Sequence, residues 1–515
     1  MMAPRAAHRL VVALAVASGA AFVGSFVVAA GATGCSAMKA TRRGTEKAEG
    51  PVAAPSGSPG AAGAPRLIAR EALGALSAGK WRLGNGLEVV LMPDATATSV
   101  SYTTWFRVGS RDEDEAAGGT GLAHLFEHLM FTQTKGQPVG AFDHAIEAVG
   151  GIANAMTDHD FTAYSNDIPP GELARVAQLE ADRMVNLALD PRQVDNERDV
   201  VIEERLASVE DSVDGTLDEL LYKQSFRTHP YRWPVVGWMK DIKAVTEAKA
   251  TAFYRRFYTP ANAVVVIAGK IDEAAALEAM AHSYGALAPP PPPATPRAVS
   301  PPEHAPAQDA RQVLVRPVPA DRLVVGYPAP GLADADRAAY ELVNEILLGG
   351  PSSRLYRRLV VERPLASSAR GDVAPTRDPG LFTIWVQLTR GHGAPEAEAI
   401  ISEEIAALAR GPLPIAELDK AKVRLETAFW RELSSSHGKA EVLGMFEIAS
   451  GDFRRLFQRA GEYARVSIAD VRGIASRYLS GARSVVVATP PDAAPARRAK
   501  PSAKPSAKPS AKTRS

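Results

Sequence analysis

A chain of 515 residues, 46% hydrophobic and 23% charged, has the make-up of a globular protein with room for more than one core. Its 59 basic and 58 acidic residues leave a formal net charge of +1, without the basic excess that a nucleic-acid partner requires. A single cysteine excludes an internal disulfide framework.

The chain opens with Arg5, His8 and Arg9 ahead of a charge-free apolar run from Leu10 to Ala32, the order of a secretory signal. Cys35 follows Ala32, Thr33 and Gly34, and this resembles a bacterial lipobox. Residues 1–35 are therefore expected to direct export and to end at a lipidated Cys35, which tethers the chain to the periplasmic side of a membrane. The apolar run is also long enough to span a bilayer, so an uncleaved N-terminal transmembrane helix is the alternative. Residues 36–71, rich in Ala, Gly, Ser and Pro, read as a flexible tether, with folded sequence starting near Ala72.

Between Trp81 and Met92 an Asn-Gly pair, Asn85-Gly86, separates two apolar stretches and predicts a hairpin. Ser99 to Val108 reads as a further strand. From Gly121 to Phe131 the sequence GLAHLFEHLMF places Leu122, Leu125, Phe126, Leu129 and Met130 at helical spacing. On that helix His124 and His128 stand at i and i+4, with Cβ atoms about 6 Å apart. Two imidazoles so placed can hold one Zn²⁺ at about 2.0–2.1 Å each. Glu127, three residues after His124, can reach a water at such a metal without ligating it, which suits a general base.

A catalytic zinc takes three protein ligands and keeps a fourth position open. The third is sought in Asp195 to Glu210, DNERDVVIEERLASVE, where Val200, Val201 and Leu206 are expected to form a buried face. Glu197 and Glu204 are seven residues apart, nearly two turns, and point the same way. One can ligate while the other supports it. Spacing alone does not choose between Glu203 and Glu204. His144, His159 and His229 have no partner at ligand spacing and read as structural or surface residues.

Five prolines, Pro289 to Pro293, open a stretch at 288–308 that cannot continue a helix or a central strand. It reads as a semi-rigid linker between segments 72–287 and 309–489, each long enough for its own core. After 489 the chain ends in a basic tail with KPSA repeated three times, expected to be disordered.

Several stretches, in this order, resemble the pitrilysin, insulinase and mitochondrial processing peptidase family, whose inverted zinc motif is His-x-x-Glu-His. They are LGNGLEVVL, VGSRDED followed by GLAHLFEHLMF, GGIANAMTDHDFTAY, DNERDVVIEER and YTPANAVVVIAG. The resemblance covers nearly all of 72–287. In the second segment LLGGPSSRLYRRLVVER is similar to a stretch of the family's catalytically silent domain.

The resemblance implies an α+β fold of two similar domains, each a mostly antiparallel sheet packed against helices. It implies one Zn²⁺ per chain on His124, His128 and Glu204. The last is favoured because the family's distal glutamate ends a Val-Val-x-x-Glu pattern, met here by Val200, Val201 and Glu204. Glu197 takes the supporting acidic position and Glu127 the general base. Asn154, Ala155 and Thr157 match an edge strand that binds substrate, and Arg354 an arginine that holds substrate backbone. A tyrosine frequent in the family after Leu-Ala is absent, since Ser367 follows Leu365 and Ala366; Tyr356 is the nearest substitute. The implied activity is zinc-dependent hydrolysis of unfolded peptides, as an endopeptidase or oligopeptidase. A two-domain chain is half of the family's chamber, which implies a homodimer or pairing with a related inactive subunit. The alternative is a non-catalytic zinc-binding partner subunit or envelope binding lipoprotein of the same fold; the intact set His124, Glu127, His128 and Glu204 argues against it.

Overall fold

A computed structural model describes residues 65–288, 303, 306 and 308–491. The export segment with Cys35, most of the tether, Pro289 to Pro293 and the KPSA tail lie outside the described residues. The first sheet holds β1 (Arg66–Leu73), β2 (Leu76–Arg82), β3 (Glu88–Pro93), β4 (Val100–Phe106), β5 (Ile152–Thr157), β6 (Thr162–Ile168) and β7 (Ala263–Gly269). Their order is β1-β2-β3-β7-β4-β6-β5. The second sheet holds β8 (Ala310–Val315), β9 (Arg322–Ala329), β10 (Ala366–Val373), β11 (Gly380–Leu388) and β12 (Ser484–Thr489), in the order β10-β11-β9-β12-β8.

The two sheets repeat one design. The path β3-β7-β4-β6-β5 matches β8-β12-β9-β11-β10 strand for strand. In each, only the first neighbour pair is parallel and the rest are antiparallel. The protein is thus built of two α+β halves, each sheet packed against helices, as expected. The first half adds the β1–β2 hairpin outside β3.

The expected Asn-Gly turn joins β2 to β3, with Gly86 at φ +94°, a conformation that favours glycine. The expected start at Ala72 is corrected: β1 begins at Arg66. As an edge strand it needs no continuous apolar run. Its exposed residues, Arg66, Leu67, Arg70 and Ala72, fall irregularly among half-buried ones, which hides it in the sequence.

The central strand β7 reads AVVVIAG and is buried throughout. An unbroken apolar run means that both faces are covered. On one face Val265 and Ile267 join Val89 and Leu91 of β3 in the core that contains Leu122, Leu125, Phe126 and Leu129. On the other, Val264, Val266 and Ala268 meet Ala440, Leu443 and Phe446 of the helix Ser436–Ser450, which belongs to the second half. The reverse holds too. The helix Val213–Ser225 of the first half lays Leu217 and Leu221 on Val324 and Val486 of the second sheet. Each half therefore lends a helix to the other. The expectation that each segment completes its own core is revised, because one face of each sheet is closed by the opposite segment.

Candidate metal centre

The helix Leu122–Leu129 lies between β4 and β5 in the chain and turns its apolar side into the first core. Phe126 stacks on Phe253 and Tyr254, with ring centroids 5.4 and 6.0 Å apart, and its carbonyl accepts the Tyr164 hydroxyl at 2.9 Å. This fixes the helix from behind and leaves His124, Glu127 and His128 on its other side. The N-terminus is fixed as well. Gly121 has φ +92°, and a β-carbon there would stand 2.7 Å from the Val236 carbonyl oxygen. The first amides are held by the buried Glu113 carboxylate, which accepts from Gly121 N at 2.9 Å and Ala123 N at 2.7 Å. A negative charge at a helix N-terminus is favourable, although burial pushes the Glu113 carboxyl well above its ordinary range.

The second element is the helix Pro191–Arg205, begun by Asp190, whose side chain accepts from Arg192 N, and by Pro191 at the first helical position. Val194, Val201 and Arg205 are buried. Val200, expected inside, is 41% exposed, because it lies a helical step round from Val201 and away from the core. Glu203 is exposed, whereas Glu197 and Glu204 are half-buried and share the face turned to the histidines. Arg205 donates to the Gly237 carbonyl at 2.8 Å and to Glu219 at 2.7 Å. Gly237 in turn abuts Gly121, since a β-carbon on it would be 2.5 Å from Gly121 Cα. One contact chain thus ties the end of this helix to the start of the histidine helix.

Three groups converge. His128 Nε2 is 3.3 Å from Glu204 Oε2, and His124 Nε2 is 3.6 Å from Glu204 Oε1. The two rings lie 5.1 Å apart at 67°. A tetrahedral zinc with bonds of about 2.0–2.1 Å separates its ligand atoms by about 3.3 Å, so these distances fit the edges of such a site. One ligand atom from each of His124, His128 and Glu204 falls within 4.8 Å of the others, the only such group of three among the described residues. Glu197 stands behind, 3.8 Å from His128 Nδ1, on the ring nitrogen that is not near Glu204. That is the place from which a carboxylate orients a ligating imidazole.

Electrostatics agree with a cation site. Burial pulls the His124 pKa down, favouring the neutral ring that a metal needs. Burial acts in the same sense on His128, but the Glu204 hydrogen bond and the charges of Glu204, Glu127 and Glu197 outweigh it and the net shift is upward. Burial pushes Glu204 up, and the His128 hydrogen bond with the charges of His124 and His128 more than offsets this, leaving the carboxyl below its usual range. Glu197, with less support, is raised, chiefly by burial. Glu127 is half-buried on the same helix, and its charge acts on both histidines.

The remaining expected residues sit as follows. Asn154, Ala155 and Thr157 lie on β5, the edge strand of the first sheet, which packs against the histidine helix. Arg354 lies in the second half, with its guanidinium engaged by Glu417 at 2.6 and 2.8 Å. Tyr356 is packed against the second core, and Ser367 Oγ donates to the Gln387 carbonyl on β11. His144 is exposed on the surface. His229 is buried with its ring on Asp378 at 3.1 Å, and His159 is wedged among Asp158, Tyr222 and Tyr231. Glu113 and Arg205 were not foreseen. Glu113 stands in a loop 8 and 10 residues from the amides it holds, outside any capping pattern.

Two family models match the chain, one described as insulinase (peptidase family M16) over residues 88–237 and one as the peptidase M16 inactive domain over residues 244–425. The chain is 30% identical to the zinc protease PqqE of Helicobacter pylori, over 79% of this chain and 91% of that one. It is 25% identical to the beta subunit of the mitochondrial-processing peptidase of Blastocladiella emersonii, over 80% and 88%. The crystal structure of a protease from Helicobacter pylori superposes with a TM-score of 0.75 at 28% identity, covering 80% of this chain and 99% of that one. With the inverted motif, Glu204 beside it and the doubled sheet design all in place, the chain belongs to peptidase family M16, the insulinase family of zinc metallopeptidases.

Proposed function

We propose that the protein is an active zinc-dependent endopeptidase or oligopeptidase that hydrolyses unfolded peptides. The observation that carries this reading is the convergence of His124, His128 and Glu204 beside an intact Glu127. His124, His128 and Glu204 would hold one Zn²⁺, which would supply Lewis acidity and lower the pKa of water there. Glu127 takes the proton of the attacking water and passes it to the nitrogen of the leaving amine. Glu197, 3.8 Å from the other ring nitrogen of His128, supports that ring through its charge and so favours the orientation with the ligating face turned inward. An extended peptide adds to the free edge of β5 near Asn154, Ala155 and Thr157, with main-chain hydrogen bonds giving affinity that does not depend on sequence. Arg354 joins substrate binding only if it exchanges Glu417 for the peptide. The chain works as a homodimer or beside a related inactive subunit, exported and held at a membrane through Cys35 or an uncleaved N-terminal helix.

A non-catalytic partner subunit is the second reading. It is favoured by Ser367, which stands where the family frequently has a tyrosine. Zinc content and cleavage of a pool of quenched peptides separate the two readings. The wild type binds one zinc per chain and cleaves, and a chelator abolishes cleavage. Glu127→Gln retains the zinc and loses on the order of 100-fold or more in rate, the scale of general acid–base catalysis. A zinc-loaded wild type that cleaves no peptide establishes the second reading. A Glu127→Gln variant with wild-type rates removes Glu127 from the mechanism.

A further inference from the structure

The loop after the helix Val213–Ser225 is a junction of three parts of the chain. The His229 ring reaches across to the second half, with Nε2 3.1 Å from Asp378 Oδ2, and its Nδ1 accepts from Tyr231 N at 3.2 Å. The Tyr231 hydroxyl donates to Asp160 at 2.8 and 2.9 Å and accepts from Asp378 N at 3.2 Å. The backbone of the same loop holds Glu303, a residue of the stretch between the two segments. Arg227 N, Thr228 N and His229 N donate to the Glu303 carboxylate at 2.8, 2.9 and 2.9 Å, and Thr228 Oγ1 donates at 2.9 Å. Glu303 is the only acidic residue in the proline-rich stretch 288–308.

Four donors from three consecutive residues on one carboxylate are more than a surface glutamate ordinarily collects. Successive amides that converge in this way form a nest, a concavity selective for anions, and hydrogen bonds to an ionised acceptor are about twice as strong as neutral ones. The remainder of residues 227–231 is committed to the seam through His229 and Tyr231, so the loop cannot shift to follow the linker without disturbing Asp378 and Asp160.

We propose that the amides of Arg227, Thr228 and His229 form an anion-binding nest whose resident ligand is the Glu303 carboxylate, and that this contact latches the interdomain connection onto the seam between the halves. The linker is then more than a spacer. Glu303 ties it to the first half shortly before β8 begins at Ala310. The latch also holds the loop that presents His229 to Asp378, so releasing it loosens the seam itself.

The test uses the full chain and amide hydrogen exchange of the peptide spanning 226–232. In Glu303→Ala, exchange of these amides rises about 10-fold or more over wild type. Inorganic phosphate or acetate restores protection in Glu303→Ala, whereas chloride at equal ionic strength does not, and wild type responds to none of them. Glu273→Ala, which removes a surface partner of Arg70 elsewhere, leaves the loop unchanged. Glu303→Gln keeps the shape but not the charge, and exchanges at a rate between the two. Wild-type exchange in Glu303→Ala overturns the latch. Fast exchange that neither phosphate nor acetate slows overturns the nest.

Discussion

Trp105 of β4 and Gly444 of the helix Ser436–Ser450 touch so closely that a β-carbon on Gly444 would lie 2.0 Å from the indole. The two residues come from opposite halves of the chain. A glycine inside a helix costs about 1 kcal/mol relative to alanine, so the close approach, not helix propensity, accounts for it. Gly444→Ala is expected to destabilise the protein by about 1–3 kcal/mol through overpacking, despite its better helix propensity. Urea unfolding measures this, and a stability gain in the variant would contradict the docking of the two halves.

The exchanged helices also set a limit on dissection. Segments 65–288 and 308–491 each leave one sheet face bare when expressed alone, since Val264, Val266 and Ala268 lose their cover in one, and Val324 and Val486 in the other. Burial of each of these valines contributes about 1.5–3 kcal/mol. Each segment alone is expected to be insoluble or loosely packed, and co-expression to restore a soluble pair. A cooperatively unfolding, monomeric single segment is the outcome that defeats this expectation.

The ligand assignment separates three neighbouring glutamates. On the proposed assignment Glu204→Gln removes a zinc ligand, and it is expected to leave little bound zinc after dialysis. Glu197→Gln loses only the support of His128, a change of roughly 10–100-fold in affinity. Glu203→Gln, on the exposed side of the helix, is expected to bind zinc as wild type does. Zinc retained in Glu204→Gln but lost in Glu203→Gln would shift the register by one residue.

The parts of this site that could be read from the sequence are those fixed by local periodicity. His124, Glu127 and His128 lie within one helical turn and a half, and Glu197 and Glu204 within two, so helical geometry alone aligns each set. The choice of Glu204 over Glu203 needed a resemblance, because facing depends on how two helices cross. The motif helix's support was illegible for a similar reason: Glu113 acts from a loop, and Gly121 and Gly237 reveal their contact only once folded. Val200 was misplaced because Val200 and Val201 are equally apolar and only packing decides which is inside. Exchange of helices left no local mark either, since β7 announces that both faces are buried but not by what.

Asp372 carries a dependence on pH that lies outside the metal centre. It sits in β10 at 5% exposure, and burial raises its carboxyl to about 7; Arg337 and Arg370 oppose this, while Asp218 of the exchanged helix and Asp158 add to it. In the unfolded chain an aspartate titrates near about 3.9. Below that value the group is neutral in both states and exacts no penalty. As pH rises from about 4 to about 7, the unfolded chain releases the proton while the folded chain keeps it, so stability falls. Above about 7 the folded protein must hold a buried carboxylate and the loss is complete. Asp372→Asn is neutral throughout and removes this term. The variant is expected to match wild type near pH 4 and to exceed it at pH 8, by at most on the order of 4 kcal/mol at 1.36 kcal/mol per pKa unit. Thermal unfolding of both proteins across that range reads the difference. Parallel curves, with no gain at pH 8, would mean that Asp372 ionises normally and that the seam around it is wetter than the buried strand implies.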